Sequence, residues 1–321
     1  MLPVRYLVPI LITFLCGGAA AQSYPDRPIK LIVPFAAGGP ADIPARLIAQ
    51  RLSSKLGQPI YIENRTGGGG TVGAAAAARA KPDGYTLFCG STGPLAIAPT
   101  LYAGSLEYDP QQSFAPIALL SQVPYLVLVG PATPANRLSD LVAYARENPG
   151  KVAIGAAAGA PAQLLGYLFR RLTATDVVIV PYRGGAPVLS DLLAGQLHAA
   201  FETTSVVNAH LGENGIRAIA AAAPQRLPML PSIPTTAEDG LGELTAYSWS
   251  GILAPRSTPR PVITRLNATI NDVLATADMR ADLARLGSAT KIGSADDFAG
   301  YIDQEIRKWA QWVRDSGMQA Q

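Results

Sequence analysis

A chain of 321 residues, 49% hydrophobic and only 15% charged, can bury one large core or two smaller ones and lacks the charge density of a disordered protein. Its 26 basic and 23 acidic residues leave a formal charge of +3, too even a balance for the electrostatic footprint of a nucleic-acid-binding protein.

The first residues read as a secretory signal. Arg5 gives a positive start, Leu7 to Cys16 form a short apolar run, and Ala19-Ala20-Ala21 fit a small-residue cleavage site. The run is short for a bilayer span, and the bulky Leu15 before Cys16 argues against lipid attachment. Residues 1–21 are therefore expected to be removed, leaving a soluble exported protein with charge +2 once Arg5 is gone. The mature chain keeps one cysteine, Cys89, so it forms no intrachain disulfide. Within "YTLFCGSTG" that cysteine reads as a small buried residue. No later segment is long and apolar enough to cross a membrane.

Strand and helix signals then alternate. "IKLIVPF" is β-rich, and the turn "AAGGPAD" (Ala36 to Asp42) leads into a helix whose Ile43, Leu47, Ile48 and Leu52 share a face. A glycine turn between a strand and a helix suits an anion, because helix N-termini offer unpaired N–H groups and a positive dipole end. Asp42 is expected to cap that helix. Gly39 is expected to provide close approach, or a backbone angle that Cβ forbids. "PIYIEN", the glycine turn and Ala-rich helix of "TGGGGTVGAAAAARA", and "GYTLFCG" complete a βαβαβ unit, which predicts a largely parallel sheet covered by helices.

After "FAPIALLSQVPYLVLVG" the alternation restarts. Leu138 to Arg146 read as a helix, "KVAIG" as a strand, Leu164 to Leu172 as a helix, "DVVIVPY" as a strand, "APVLSDLLAG" as a helix and "LHAAFE" as a strand. "YSWSGILAP" is an extended apolar segment without a sequence-local partner, so it is expected to return the chain to the first sheet. Two closing helices follow. One starts near Pro261, with Val262, Leu266, Ile270 and Val273 on a face. The other opens on the capping-box pair Ser294 and Asp297 and carries Phe298, Ile302, Ile306, Trp309 and Val313. There is also an internal echo: "AAGGPAD" recurs as "AAGAPAQ" (Ala157 to Gln163), each copy between a strand and a helix. If structural, it places two helix N-termini on opposite sides of a cleft.

Signals for chemistry are weak. Gly68-x-Gly70-x-x-Gly73 matches the dinucleotide fingerprint, but no acid stands between Asp83 and Glu107, where the ribose partner belongs. There is no P-loop lysine pattern, "GSTG" lacks nucleophile-elbow spacing, and His198 and His210 lie in no metal-spaced cluster. No enzyme activity, cofactor or metal is expected. A carboxylate, in contrast, can be held by backbone N–H groups and hydroxyls, and Ser91 and Thr92 could add to the glycine loops; charge-assisted hydrogen bonds contribute about 1.5–3 kcal/mol each.

Several blocks, in order, resemble one family: "YPDRPIKLIVPFAAGGPADIPAR", "ENRTGGGGTVGA", "KPDGYTL", "VPYRGGAPVLSDLLAGQ" and "LPSIPTTAEDG…SWSGILAPRSTP". They are similar to the Bug-type extracytoplasmic solute receptors, the substrate-binding proteins of tripartite tricarboxylate transporters. The resemblance spans essentially the whole mature chain. It implies an α/β type II periplasmic-binding-protein fold: two α/β domains with a hinge and an interdomain ligand cleft. It further implies small organic carboxylates as ligands (di- and tricarboxylates, acidic amino acids, aromatic acids), delivered to membrane permease subunits by a monomer without nucleic-acid partners. On that architecture residues 22–123 with 249–321 form a discontinuous first domain and 124–248 the second. The family's first binding loop falls on Phe35, Ala36, Ala37, Gly38, Gly39 and Asp42, its second on Ser91 and Thr92, its third on Ala158, Gly159 and Ala160. Its acidic position falls on Glu202, with Thr203 beside it. The third loop here lacks the family's hydroxyl donors, which points to a more apolar far end, and the acidic residue is Glu where Asp is common; both departures bear on which carboxylate is bound. A secreted nucleotide-dependent oxidoreductase, using the glycine run, and a carboxylate sensor subunit are the competing classes.

Overall fold

The structure, a computed structural model, describes residues 24–211, 215–289 and 291–318; the expected signal segment and Cys16 lie outside them. The first βαβαβ unit forms as its patterning predicts: β1 (Ile29–Val33), α1 (Asp42–Leu56), β2 (Ile60–Asn64), α2 (Thr71–Ala78) and β3 (Thr86–Ser91). Both β2 and β3 pair with β1 in parallel. After β3 the chain makes one wide helical turn, Gly93–Ile97, and the short α3 (Ala98–Leu101). Gly93 to Ala98 are all buried, so no helical periodicity marked them.

The sixteen-residue β4 (Phe114–Val129) joins the two halves of the molecule. Past it come α4 (Leu138–Glu147), β5 (Ala153–Ala157), α5 (Pro161–Thr173), β6 (Val178–Tyr182), α6 (Gly185–Leu193), β7 (Ala199–Thr203), α7 (Thr204–Val207) and β8 (Arg217–Ala221). In this half β5 pairs in parallel with β6 and β7, and the end of β4 runs antiparallel to β7 and β8. The chain then returns through β9 (Tyr247–Pro255). This strand is hydrogen-bonded to β3 on one side, with Ser91 opposite Ser250, and to β4 on the other, from Phe114 opposite Pro255 to Pro124 opposite Tyr247. The sheet order is β2-β1-β3-β9-β4-β7-β5-β6, with β8 attached to β4.

Three closing helices follow where two were expected: α8 (Arg260–Leu274), α9 (Ala277–Arg285) and α10 (Ala295–Ser316). The last opens on the expected capping box, Ser294 accepting from Asp297 N–H while the Asp297 carboxylate accepts from Ser294 N–H. Its face of Phe298, Ile302, Trp309 and Val313 is buried, and Ile306 is half-buried. Ile48 and Leu52 of α1 pack with Leu266 and Ile270 of α8 and Met279 of α9 over Ile29, Leu31 and Val33. In the other half Val188 and Leu192 of α6 pack on Leu126 and Leu128. Cys89 is fully buried and unpaired, and burial pushes its thiol up to about 12.

Candidate functional site

A cleft of about 360 Å³ opens between the two halves, at the carboxyl ends of β1, β3, β5, β6 and β7. Two loops of the same construction face it. Gly38 N–H donates to Asp42 Oδ2 at 2.9 Å, and Gly159 N–H donates to Gln163 Oε1 at 2.9 Å. Gly39 N–H reaches Ala36 O and Ala160 N–H reaches Ala157 O, both at 3.3 Å. The left-handed residue of each turn is the glycine at its third position, Gly38 with φ 81° and Gly159 with φ 66°. The echo in the sequence is therefore one turn built twice, each ahead of a long helix.

The structure corrects two expectations in the first loop. Asp42 does not cap α1: it is the helix's first residue, behind an Ala41 N-cap. Its buried carboxylate turns back to Gly38 N–H, to Asn64 Nδ2 at 2.8 Å and to Arg46 Nε at 2.7 Å. Burial pushes this carboxyl up, but the bonds from Arg46, Asn64 and Gly38 outweigh it and hold the group below its ordinary range. Asn64 also donates to Phe35 O at 2.8 Å, so the loop is braced at both ends. The special backbone angle belongs to Gly38, whereas a Cβ on Gly39 would meet only Ala36 O, at 3.3 Å. Gly38 and Gly39 N–H groups are thus spent within the loop. Those of Ala36 and Ala37 have no acceptor among the described residues, and both residues are exposed to the cleft.

Of the thirteen expected residues, Phe35, Ala36, Ala37, Gly38, Gly39, Ser91, Thr92, Ala158, Ala160 and Glu202 line the cleft. Asp42, Gly159 and Thr203 do not; they stand behind the wall and brace it. Ser91 Oγ is buried without a hydrogen-bond partner, while Thr92 Oγ1 accepts from Trp249 N–H of β9 at 3.1 Å. Glu202 closes the far wall, 3% exposed. Its Oε1 accepts from Thr203 N–H (2.8 Å) and Thr203 Oγ1 (3.3 Å). Burial pushes the Glu202 carboxyl up to about 7, against those two bonds. A Cβ on Gly185 would collide with Glu202 Oε2, so the second glycine of "RGG" makes room for the carboxylate.

Other parts of the wall were not expected from the sequence. Tyr125 and Ser248 come from β4 and β9, where the chain passes between halves, and no local pattern marks them. Arg183, Gly184, Ala186, Pro187 and Val206 also line the cleft. Among the lining residues Arg183 is the one basic side chain; it stands in "VPYRGG", part of a block that carries the family resemblance. Ala158, Ala160, Pro161, Ala186, Pro187 and Val206 make the second half's wall mostly apolar. Among the described residues no group of three or more His, Cys, Asp or Glu side chains is arranged to hold a metal ion. His198 sits away from the cleft, its Nδ1 accepting from Ala153 N–H at 3.1 Å.

Comparison with known proteins places this geometry. The sequence profile described as "Tripartite tricarboxylate transporter family receptor" matches residues 44–318. Protein BugT of Bordetella pertussis is 36% identical over 300 residues, covering 93% of this chain and 92% of its own. The solved structure of the periplasmic binding protein BugD superposes with a TM-score of 0.86 at 32% identity, covering 93% of this chain and all of that one. MatC of Rhodopseudomonas palustris, solved with bound malate, superposes at 0.84 with 35% identity over 90% of this chain and all of its own. The fold is that of the periplasmic binding proteins, two α/β domains about a cleft.

Proposed function

Because this chain belongs to the tripartite tricarboxylate transporter receptor family, we propose that its cleft captures a small organic carboxylate, which the protein delivers to membrane permease subunits. The carrying observation is that Ser91, whose buried Oγ has no partner among the described residues, stands in the cleft wall beside the N–H groups of Ala36 and Ala37, which have no acceptor among the described residues. Hydrogen bonds from such donors to a carboxylate contribute about 1.5–3 kcal/mol each, and burial between two domains removes the competing water. MatC, with malate bound, supports the class.

The apolar wall of Ala158, Ala160, Pro161, Ala186, Pro187 and Val206 suits an acid with an apolar or aromatic body, and Arg183 is placed for a second anionic group. Residues 22–123 with 249–321 are assigned to one domain and 124–248 to the other, β4 and β9 forming the hinge. The protein acts as a periplasmic monomer, freed of residues 1–21, and catalyses no reaction. The glycine run serves no nucleotide: Gly73 leaves room for Arg65 O and Pro34, and Gly70 for Phe35.

A thermal-shift screen tests the reading, since a ligand that binds only the folded state raises its melting temperature. Malate, adipate, benzoate and their hydroxylated relatives should include one that raises Tm, while NAD and ATP leave it unchanged. A shift with a nucleotide and none with any carboxylate would overturn it.

A further inference from the structure

The tetraglycine run Gly67–Gly70 is the sequence motif that ligand capture leaves unused. All four residues have positive φ, between 54° and 127°, a conformation that side-chain-bearing residues avoid. The loop lies after β2 in the first half, yet its neighbour is the second half. A Cβ on Gly69 would lie 3.1 Å from Gly159 Cα and 3.2 Å from Gly159 O. A Cβ on Gly159 would lie 2.8 Å from Gly69 Cα. Gly93 completes the junction, its own Cβ position being 3.0 Å from Gly69 O and 3.3 Å from Gly159 O. Three glycine backbones therefore meet so closely that a methyl group on any of them would force its neighbours to shift.

This contact stands apart from the ligand wall. Ala158 and Ala160 line the cleft, whereas Gly159 between them and Gly69 opposite do not. The turn alone does not require such closeness. Gly38, the counterpart of Gly159 in the first loop, has a similar φ, but its Cβ position has nothing within 4 Å. Phe35, which does line the cleft, is wedged against the same junction: a Cβ on Gly70 would meet its Cζ at 3.2 Å and one on Gly93 at 3.3 Å.

We propose that Gly69 and Gly159 form a closing contact, a backbone-to-backbone seam that lets the two halves shut over the ligand, and that both act as positioning residues without touching it. A Cβ at either place lies between halves joined through β4 and β9, so opening the cleft relieves the clash at less cost than deforming either half. A protein that closes less often binds more weakly in proportion to the lost closed fraction. The affinity arm of the test rests on the proposed function; the shape arm does not.

Small-angle scattering of the wild-type chain, Gly69→Ala, Gly159→Ala and Gly240→Ala, each alone and with malate, adipate or benzoate, tests the proposal. Gly240 also has positive φ, 81°, with nothing within 4 Å of its Cβ position, so it controls for backbone strain. The wild type and Gly240→Ala should fit the closed curve of this structure, alone or with a probe. Both seam variants should be expanded under every condition, with cooperative melting retained, and should bind any probe the wild type binds at least an order of magnitude more weakly. Seam variants that close and bind like the wild type overturn the proposal, as does a wild type that never fits the closed curve. If one seam variant fails to fold, the other decides, because the two lie on opposite sides. Closure without affinity for any probe would leave the seam standing and remove the carboxylate reading.

Discussion

Asp42 directs its carboxylate backwards, to Gly38, Asn64 and Arg46, and by doing so it sets which N–H groups the first loop keeps and which it presents. Replacing it with Ala removes the acceptor of the Gly38 N–H and one of the two acceptors of the Asn64 amide. Gly38 is exposed and Asn64 half-buried, so the lost bonds cost about 1 kcal/mol, the low end for an unpaired group, and a relaxed loop no longer aims Ala36 and Ala37 together. Asp42→Ala should lose stability of that order in urea denaturation, and carboxylate affinity in calorimetry; wild-type affinity would make the brace irrelevant to the ligand. Glu202 is the opposite case, a carboxyl that burial pushes from the ordinary 4.5 to about 7. A raised folded-state value means that its contribution is complete below pH 4.5 and is lost as pH rises through 7. Glu202→Gln, which cannot ionise, should therefore gain in Tm over the wild type at about pH 8 relative to about pH 5, by scanning calorimetry. An equal difference at both pH values would refute the buried charge. Both carboxylates stood out in the sequence, but what each one touches did not. Whether an acid at the start of a helix caps it or braces the preceding loop depends on Asn64 and Arg46, which reach it from other turns.

Among the elements, β9 and α10 are coupled by a carboxylate that two indoles share, beside the packing of Trp249 against Phe298 and Tyr301. Glu305 Oε2 accepts both Trp249 Nε1 at 2.9 Å and Trp309 Nε1 at 2.7 Å, and all three residues are buried. Trp249 lies on the strand that also meets Thr92 in the cleft wall, so α10 fixes β9 and, through it, that part of the wall. Glu305→Ala strands two indole donors and should cost about 2–5 kcal/mol, read as a fall in the denaturation midpoint; Glu305→Gln, which keeps an acceptor, should recover part of it. Parity between the two variants would show that the indoles need no acceptor. The face of α10 was plain in the sequence because a capping box and a 3.6-residue period coincide there. β8, "RAIAA", was missed because alanine carries little strand signal. α9 was missed because it is short and follows α8 after only two residues.

At the scale of the whole molecule, the alternation of strands and helices gave the α/β class and the apolar "YSWSGILAP" its return to the first sheet. The cleft wall was only half legible, because β4, β9 and the "RGG" turn meet there through the fold and not through local spacing. That same return of β9 has a consequence for how the chain is made. The strand enters the middle of the sheet, between β3 and β4, and pairs Ser91 with Ser250. Until residue 247 exists, β3 and the start of β4 have no shared neighbour, and the first half cannot be finished while the second is complete in sequence. Contacts so distant along the chain form late and slowly. The first half therefore stays open along the seam between β3 and β4 through most of the chain's synthesis, and the molecule locks into its final shape only when its last quarter arrives.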